Sequence, residues 1–297
     1  MQELIGFLNG KYVQFSELKV SCFDEWTNQG LAVFEMTRSF RGETHLLTQH
    51  IDRLYKGLRY CGIPEPMKSG DMVKLCVDVV KANVDAMEDD DEHRLMITVS
   101  PGPRPIYQEF IPAGPTVCIA DFPLRYTVKG MGSLYAEGVH LQSSPYQAYP
   151  TQCISSRVKH RSRLHFALAA QLSPWSLLYD QQGYVAEGPG FAVMVLVNGA
   201  IFIPRLHYAL PSISRDFILQ LAIARGLSVH VMDMDRSILC EASEIWITAT
   251  PFCVLPVTKV DGRVVGNGTP GSFYHVLLKD WSQKVKVNIP EQVKAWG

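Results

Sequence analysis

Residues 31–58, LAVFEMTRSFRGETHLLTQHIDRLYKGL, carry two periodicities in succession. From Leu31 to Phe40 the run is dense in apolar, aromatic and β-branched residues, Arg41-Gly42 is a turn pair, and residues 44–47 return as a second strand. From Thr48, a side chain suited to cap a helix, the spacing changes. Ile51, Leu54, Tyr55 and Leu58 recur on one helical face until Gly62 and Pro64 stop it. Strands passing directly into an amphipathic helix predict a mixed α and β chain whose sheets are covered by helices.

The same texture extends in both directions. Upstream, residues 4–8 and 11–15 flank Asn9-Gly10, a tight hairpin signal. Downstream, a second helix is predicted over 69–87, running into the acidic stretch Glu88 to Glu92, which reads as a solvated turn. Strands at 95–99 and 116–121 bracket the loop Pro101-Gly102-Pro103-Arg104-Pro105, whose restricted backbone holds Arg104 in one place. After Leu124 the periodicity lapses, and a linker is placed at 126–136, between an N-terminal domain (1–125) and a C-terminal one (137–297). The second half reads as a helix over 162–171, strands at 175–179 and 191–197, and a hairpin through Asn198-Gly199 into 201–204. A helix from Ser214 to Gly226 follows, then strands at 228–232, 244–248 and 254–260, a turn at Asp261-Gly262, and a last helix from about Gly271.

Composition narrows the function classes. The 297 residues are 47% hydrophobic and 19% charged, and the formal charge is −1, so the chain can bury a full core and offers no broad basic field for nucleic acid or membrane surfaces. Any anion it binds must be held by local clusters of basic groups. The seven cysteines are scattered without a CxxC spacing, which fits a reducing cytoplasm better than a disulfide framework or a zinc site. The first seven residues show no basic start and no sustained apolar run, and no stretch approaches the roughly 18 apolar residues of a membrane span. A soluble cytoplasmic protein is expected.

Four local features could carry chemistry. The largest departure from neutrality is Arg157-Val158-Lys159-His160-Arg161-Ser162-Arg163. On charge alone it reads as a solvated helix start, yet cations are unfavourable at a helix N-terminus, and a buried or cofactor-linked role resolves that conflict better. Glu187 enters the glycine-rich turn Gly188-Pro189-Gly190 just before an apolar strand. Ser212-Ile213-Ser214-Arg215 opens a helix, where free N–H groups make a phosphate seat. Thr248-Ala249-Thr250-Pro251 places hydroxyls at a strand end. His160, His165, Cys153 and Cys253 lie near these features without a metal-ligand spacing or an activating arrangement, and no role is assigned to them.

In this order and spacing the four features, together with FLNGKYV, the HIDRL block around Arg53 and the later EIWITATPFCVLPVTKVDG, resemble the class IV (fold-type IV) pyridoxal-phosphate aminotransferases. That family includes branched-chain and D-amino-acid aminotransferases and aminodeoxychorismate lyase. The resemblance covers nearly the whole chain. It implies an α+β, two-domain enzyme with a smaller N-terminal α/β domain and a larger, β-rich, cofactor-binding C-terminal domain with flanking helices, assembled as a homodimer. By the same resemblance Lys159 is the Schiff-base lysine, Glu187 the partner of the pyridine nitrogen, and Arg53 a phosphate ligand. The backbone of Ile213 and Ser214, the Ser214 hydroxyl and Thr250 complete the phosphate cup.

Departures from the family pattern bear on the substrate. Branched-chain members carry a tyrosine five positions after the lysine, where this chain has Leu164, as in the D-amino-acid and lyase branches. Ala192 and Ser162 replace asparagines near the cofactor. ITVSPGPRP resembles the substrate loop of D-amino-acid aminotransferases, which makes Arg104 a carboxylate clamp, although the histidine expected two residues on is Ile106; Arg94 and Tyr107 are alternatives. Phe34, Met36 and Ala249 fall where the family lines its substrate pocket. The implied reaction is transfer of an amino group between an amino acid, with D-amino acids slightly favoured over branched-chain L-amino acids, and a 2-oxo acid. A lyase releasing pyruvate, close in its KHRSRL block, and a catalytically degenerate cofactor-binding homologue remain as alternatives. No metal, nucleic-acid or membrane partner is expected.

Overall fold

A computed structural model describes residues 3–297; Met1 and Gln2, the first residues of the stretch read for a leader, lie outside the described residues. The chain forms two units, one of residues up to Thr127 together with Val158–Arg163, the other of Val128–Arg157 and Leu164–Gly297. The six-residue segment 158–163 thus leaves its neighbours in sequence to fold with the first unit.

The first unit is built on strands β1 (Ile5–Leu8), β2 (Lys11–Gln14), β3 (Val33–Phe40), β4 (Glu43–Thr44), β5 (His93–Ser100) and β6 (Thr116–Pro123). They form a six-stranded sheet in the order β2-β1-β6-β5-β3-β4. The two expected hairpins are present, with Asn9 and Gly10, and Arg41 and Gly42, all at positive φ as their tight turns require. Helices α1 (Glu25–Gln29), α2 (Leu47–Cys61) and α3 (Ser69–Ala82) accompany the sheet. Ile51, Leu54 and Leu58 of α2 are fully buried in one core with Val33, Leu95, Ile97 and Ile119 of the sheet and Met72 and Val79 of α3. Each such side chain contributes about 1.5–3 kcal/mol by leaving water.

Three local expectations for this unit change. Thr48 is not the cap of α2: Leu46, at φ 53, precedes the helix without a side-chain cap, so Thr48 lies in its first turn. Helix α3 stops at Ala82 and a 3-10 turn follows at Val84–Ala86; between them the buried Asn83 accepts from Ile5 N at 2.7 Å and donates to Ile5 O at 2.8 Å and Asp121 at 3.1 Å. The acidic stretch is not a simple solvated turn. Glu88, Asp90 and Asp91 converge on Arg125 at 2.7, 2.6 and 2.5 Å, while Glu92 is buried and accepts from Ser39 Oγ and Arg41 N.

In the second unit, α4 (Arg125–Val128) bridges the unit boundary in sequence and is followed by α5 (Leu134–Glu137), β7 (Val139–Ser143), α6 (Leu164–Leu172), β8 (Ser176–Leu177), β9 (Ala192–Val197), β10 (Ala200–Pro204), α7 (Ile213–Ala224) and β11 (Ser228–Met232). The remaining elements are α8 (Arg236–Glu241), β12 (Glu244–Ala249), β13 (Cys253–Val260), β14 (Arg263–Val264), α9 (Ser272–Val285) and α10 (Ile289–Ala295). An eight-stranded sheet runs β11-β10-β9-β12-β13-β7-β8, with β14 on β13. Strands β9 and β12 are buried at every position, which explains their unbroken apolar runs. The one acid among them, Glu244, supplies what the N-cap Gly271 of α9 lacks: its carboxylate accepts from Phe273 N at 3.0 Å, Tyr274 N at 2.9 Å and Trp246 Nε1 at 2.9 Å. Among the described residues no helix is long and apolar enough to cross a membrane.

Candidate active site

The basic cluster does not start a helix. Helix α6 begins only at Leu164, and residues 159–161 run extended beside β3, with Phe34 N donating to Lys159 O and Arg161 N donating to Ala32 O, both at 2.9 Å. An antiparallel bridge joins Val33 to His160. Strand β4 pairs only with Ser39 and Phe40, so the first half of β3 is a bare edge, and this segment covers it. The conflict between cations and a helix dipole is therefore confined to Arg163, the residue directly before α6.

Extended backbone alternates its side chains, and this sorts the cluster. Val158 packs in the core beside Val33. Lys159, Arg161 and Arg163 fall on the opposite face, around the ring of Phe34. Lys159 Nζ is 5.0 Å from the ring centroid, and the guanidinium carbons of Arg161 and Arg163 are 4.0 and 5.5 Å away. Register extends the face across the sheet, since Phe34 pairs with Thr98, Met36 with Met96, and Arg94 with Phe122. Lys159, Phe34, Met36 and Arg94 thus share one face of the first unit. Arg94 is half-buried, donates to Thr127 Oγ1 and Met36 Sδ, and burial pushes its pKa down to about 10.

Arg53 approaches β3 from α2 on the other face. Its guanidinium forks onto the buried Glu35, Nε to Oε1 at 2.5 Å and Nη2 to Oε2 at 2.8 Å, and His50 Nδ1 lies 2.7 Å from the same carboxylate. Burial raises the Glu35 pKa, but Arg53 and then His50 override it, leaving the carboxyl well below the usual range. Burial also holds His50 below its ordinary value despite Glu35, with the charges of Arg53 and Lys159 acting in the same sense. Sequence reasoning misses Glu35 and His50. Their signals are a carboxylate inside the apolar run VFEMTR and a histidine three residues before Arg53.

Arg104 is engaged elsewhere. Its Nε is 3.0 Å from Glu25 in an ion pair whose arginine is half exposed, so its guanidinium already has a carboxylate.

In the second unit, Ser214 and Thr250 come together, Oγ to Oγ1 at 3.5 Å. Ser212 caps α7 by accepting from Arg215 N at 3.2 Å, which leaves the N–H groups of Ile213 and Ser214 as unclaimed donors, among the described residues, at the start of a twelve-residue helix. Ala249 ends β12 beside Thr250, and the Thr248 hydroxyl is buried without a hydrogen-bond partner among the described residues. Glu187 accepts from Leu210 N at 3.2 Å at the mouth of the turn leading into β9. Gly188 is dictated there by packing: a Cβ would lie 1.9 Å from Cζ of Phe191. Two hydroxyls and free helical N–H groups suit a phosphate, and a carboxylate held by a backbone N–H suits a protonated ring nitrogen. These residues fit a phosphorylated pyridine cofactor.

Comparison with known proteins agrees with the geometry. The sequence profile of the amino-transferase class IV family matches residues 32–260. A putative branched-chain-amino-acid aminotransferase of Methanocaldococcus jannaschii is 27% identical, covering 98% of this chain and 97% of its own. The D-alanine aminotransferase of Bacillus licheniformis is also 27% identical, over 89% of this chain and 90% of its own. Among solved structures, the branched-chain amino acid aminotransferase from Thermobaculum terrenum in its PLP-form superimposes with a TM-score of 0.83 at 20% identity, covering 98% of this chain and 97% of that one, a likeness of fold. Because the profile spans most of the sequence and the fold recurs along nearly the whole chain, the chain belongs to the class IV amino-transferase family.

Proposed function

We propose that this class IV aminotransferase, a pyridoxal 5′-phosphate enzyme, moves an amino group between an amino acid and a 2-oxo acid in two half-reactions, with Lys159 as the catalytic residue. The observation that carries this reading is the edge strand at 158–163, which presents Lys159 on the same sheet face as Phe34, Met36 and Arg94. When bound, the cofactor supplies an electron sink for the negative charge left at the substrate Cα. Lys159 Nζ anchors the cofactor and carries the proton away from that carbon and back. Glu187 keeps a proton on the ring nitrogen, because a carboxylate beside it favours the charged form. The Ile213 and Ser214 N–H groups, the Ser214 and Thr250 hydroxyls and Arg53 hold the phosphate. Phe34, Met36 and Ala249 form the apolar side of the substrate site. The substrate carboxylate is assigned to Arg94, which shares the sheet face of Lys159, Phe34 and Met36.

The finer reading, a D-amino acid as donor, keeps the support of Leu164 and loses that of Arg104. A cytoplasmic homodimer accompanies it, in keeping with the family resemblance and with seven cysteines scattered without a disulfide-framework spacing. Lys159→Ala tests the core of the proposal: it should abolish both the visible absorbance of the bound cofactor and turnover, and survival of both refutes the assignment. Half-reactions of the wild type with D- and L-alanine, leucine and glutamate, followed through the same absorbance, decide the donor. Pyruvate release from an aminated chorismate without an oxo-acid acceptor would instead identify a lyase.

A further inference from the structure

At the opposite end of β13 from Thr250, the second unit has a cavity of about 490 Å³, within the roughly 300–1,000 Å³ of small-molecule sites. None of its lining residues is among those assigned to the cofactor or the substrate. Seven residue steps of strand, about 23 Å, separate Cys253 at the start of β13 from Val260 on the cavity wall. Tyr179, Leu239 and Val260 form a buried floor, and Arg236, Cys240 and Arg263 stand exposed around it.

Neither arginine of the rim has a carboxylate partner among the described residues. The Arg236 guanidinium carbon lies 4.2 Å from the Tyr179 ring centroid, and Arg263 Nη1 meets a thiol, Cys240 Sγ, at 3.6 Å. Asp261 also borders the cavity, but both its oxygens are engaged: Oδ1 accepts from Ser143 N at 2.7 Å and Oδ2 from Ser143 Oγ at 2.5 Å. The Ser143 hydroxyl, its proton committed to Asp261, accepts from Tyr179 OH at 2.8 Å. Burial raises the Tyr179 pKa, the Ser143 hydroxyl and Arg236 oppose the rise, and Asp261 and Cys240 add to it, so these groups converge on one ring. Arg205 and Arg225, half exposed in the same unit, each hold an aspartate, Asp233 at 3.0 Å and Asp280 at 2.6 Å. Two guanidinium groups bordering one engaged carboxylate leave the cavity with a surplus of one positive charge.

We propose that this cavity is a second ligand site, separate from the active site, for an amphiphilic monocarboxylate, with its carboxylate on Arg236 and Arg263 and its apolar body against Leu239 and Val260. The single surplus charge selects a monoanion over a dianion such as a phosphate ester, whose second charge would face Asp261. A guanidinium stacked on a ring keeps its planar N–H fork for a carboxylate, so Tyr179 presents Arg236 while covering one of its faces. The site is defined by these residues alone and stands whether or not Lys159 performs transamination.

Cys240 reports on the site directly, because a bound ligand shields its thiol. Occupancy is read by iodoacetamide alkylation of the cofactor-loaded protein, quantified by peptide mass spectrometry at Cys240 with the exposed Cys22 and Cys153 as internal references. 4-Phenylbutyrate should slow alkylation of Cys240 and leave Cys22 and Cys153 unchanged. The neutral 4-phenylbutanamide and the doubly charged 4-phenylbutyl phosphate should require about tenfold higher concentrations or more for the same protection. Arg263→Met should raise the concentration of 4-phenylbutyrate required about tenfold, and Arg236→Met, expected to do the same, carries the test if the first variant does not fold. Arg94→Met, altered at the active site, should be protected like the wild type. Equal protection by the amide and the acid, tighter protection by the phosphate ester, protection indifferent to both rim arginines, or protection lost with Arg94 would each overturn the proposal, as would a Cys240 that 4-phenylbutyrate does not shield.

Discussion

Glu35→Gln should remove one charge from the most tightly coupled group of residues in the first unit. Glu35 is 1% exposed and takes both donors of the Arg53 fork, at 2.5 and 2.8 Å, while His50 approaches to 2.7 Å. Glutamine has nearly the same shape but only one acceptor oxygen, and it turns an N–H group toward the donors of Arg53 or His50. Arg53, 11% exposed, then loses its counterion without regaining water. Breaking a buried ion pair by neutralising one partner costs on the order of 3–5 kcal/mol; with one hydrogen bond retained, about 3 kcal/mol is expected, roughly a 150-fold change in the folding equilibrium. The pH dependence identifies the cause. The folded-state pKa of Glu35 is depressed, so its stabilisation is fully present above the unfolded carboxyl value, about 4.3, and is lost as pH falls toward the folded value. Urea denaturation of wild type and variant at pH 7 and at about pH 3 is the assay. The gap should be near 3 kcal/mol at neutral pH and should shrink on acidification. A neutral-pH gap below about 0.5 kcal/mol, or one that acid leaves untouched, would refute the account of Glu35 as an ionised anchor. A smaller cofactor affinity at neutral pH should accompany the loss, since Arg53 would no longer be held in one orientation.

Two other substitutions separate structural from substrate contacts. Arg104→Ala should change the KM for amino donors less than about threefold because Glu25 already occupies its guanidinium, whereas Arg94→Ala should raise KM about tenfold or more; steady-state kinetics on the two variants, with the reverse ranking, would return the carboxylate to the proline-rich loop. Gly188→Ala drives a methyl group to 1.9 Å from the Phe191 ring and should cost about 1–3 kcal/mol with weakened cofactor retention, measured by thermal unfolding with and without pyridoxal 5′-phosphate; a fully stable, fully loaded variant would show that the Phe191 ring yields freely.

Much of the architecture is readable from short stretches because its causes are local. Asn9-Gly10, Arg41-Gly42, Asn198-Gly199 and Asp261-Gly262 all make their tight turns at positive φ, and the helical spacing of Ile51, Leu54, Tyr55 and Leu58 buries these residues as one face. The grouping of Ser214 with Thr250 is likewise foreshadowed by a helix start and a strand end rich in hydroxyls. Where distant residues compete for a segment, local patterns mislead. Helix α3 stops before Asn83, whose side chain is held by Ile5 and Asp121, and Glu92 turns inward from an acidic stretch to meet Ser39 and the 41–42 turn.

The chain's residue types set which chemistry is available: one lysine amid arginines, a carboxylate before a glycine turn, and hydroxyls at a helix start. Their arrangement depends on pairings far apart in sequence. Residues 158–163 read as a helix start until the unpaired edge of β3 is present, 127 positions upstream in the register of Val33 with His160. Hydrogen bonds to that edge outweigh local helical preference, and the resulting alternation of extended backbone places Lys159 and Arg161 on the Phe34 face while turning Val158 into the core. The same long-range pairing of β3 with β5 brings Arg94 beside Met36, while Arg104 pairs with Glu25. Charge and hydrogen-bonding capacity are properties of single residues, but which cation is left without a counterion, and on which face, is fixed by contacts that exist only once the sheet has closed.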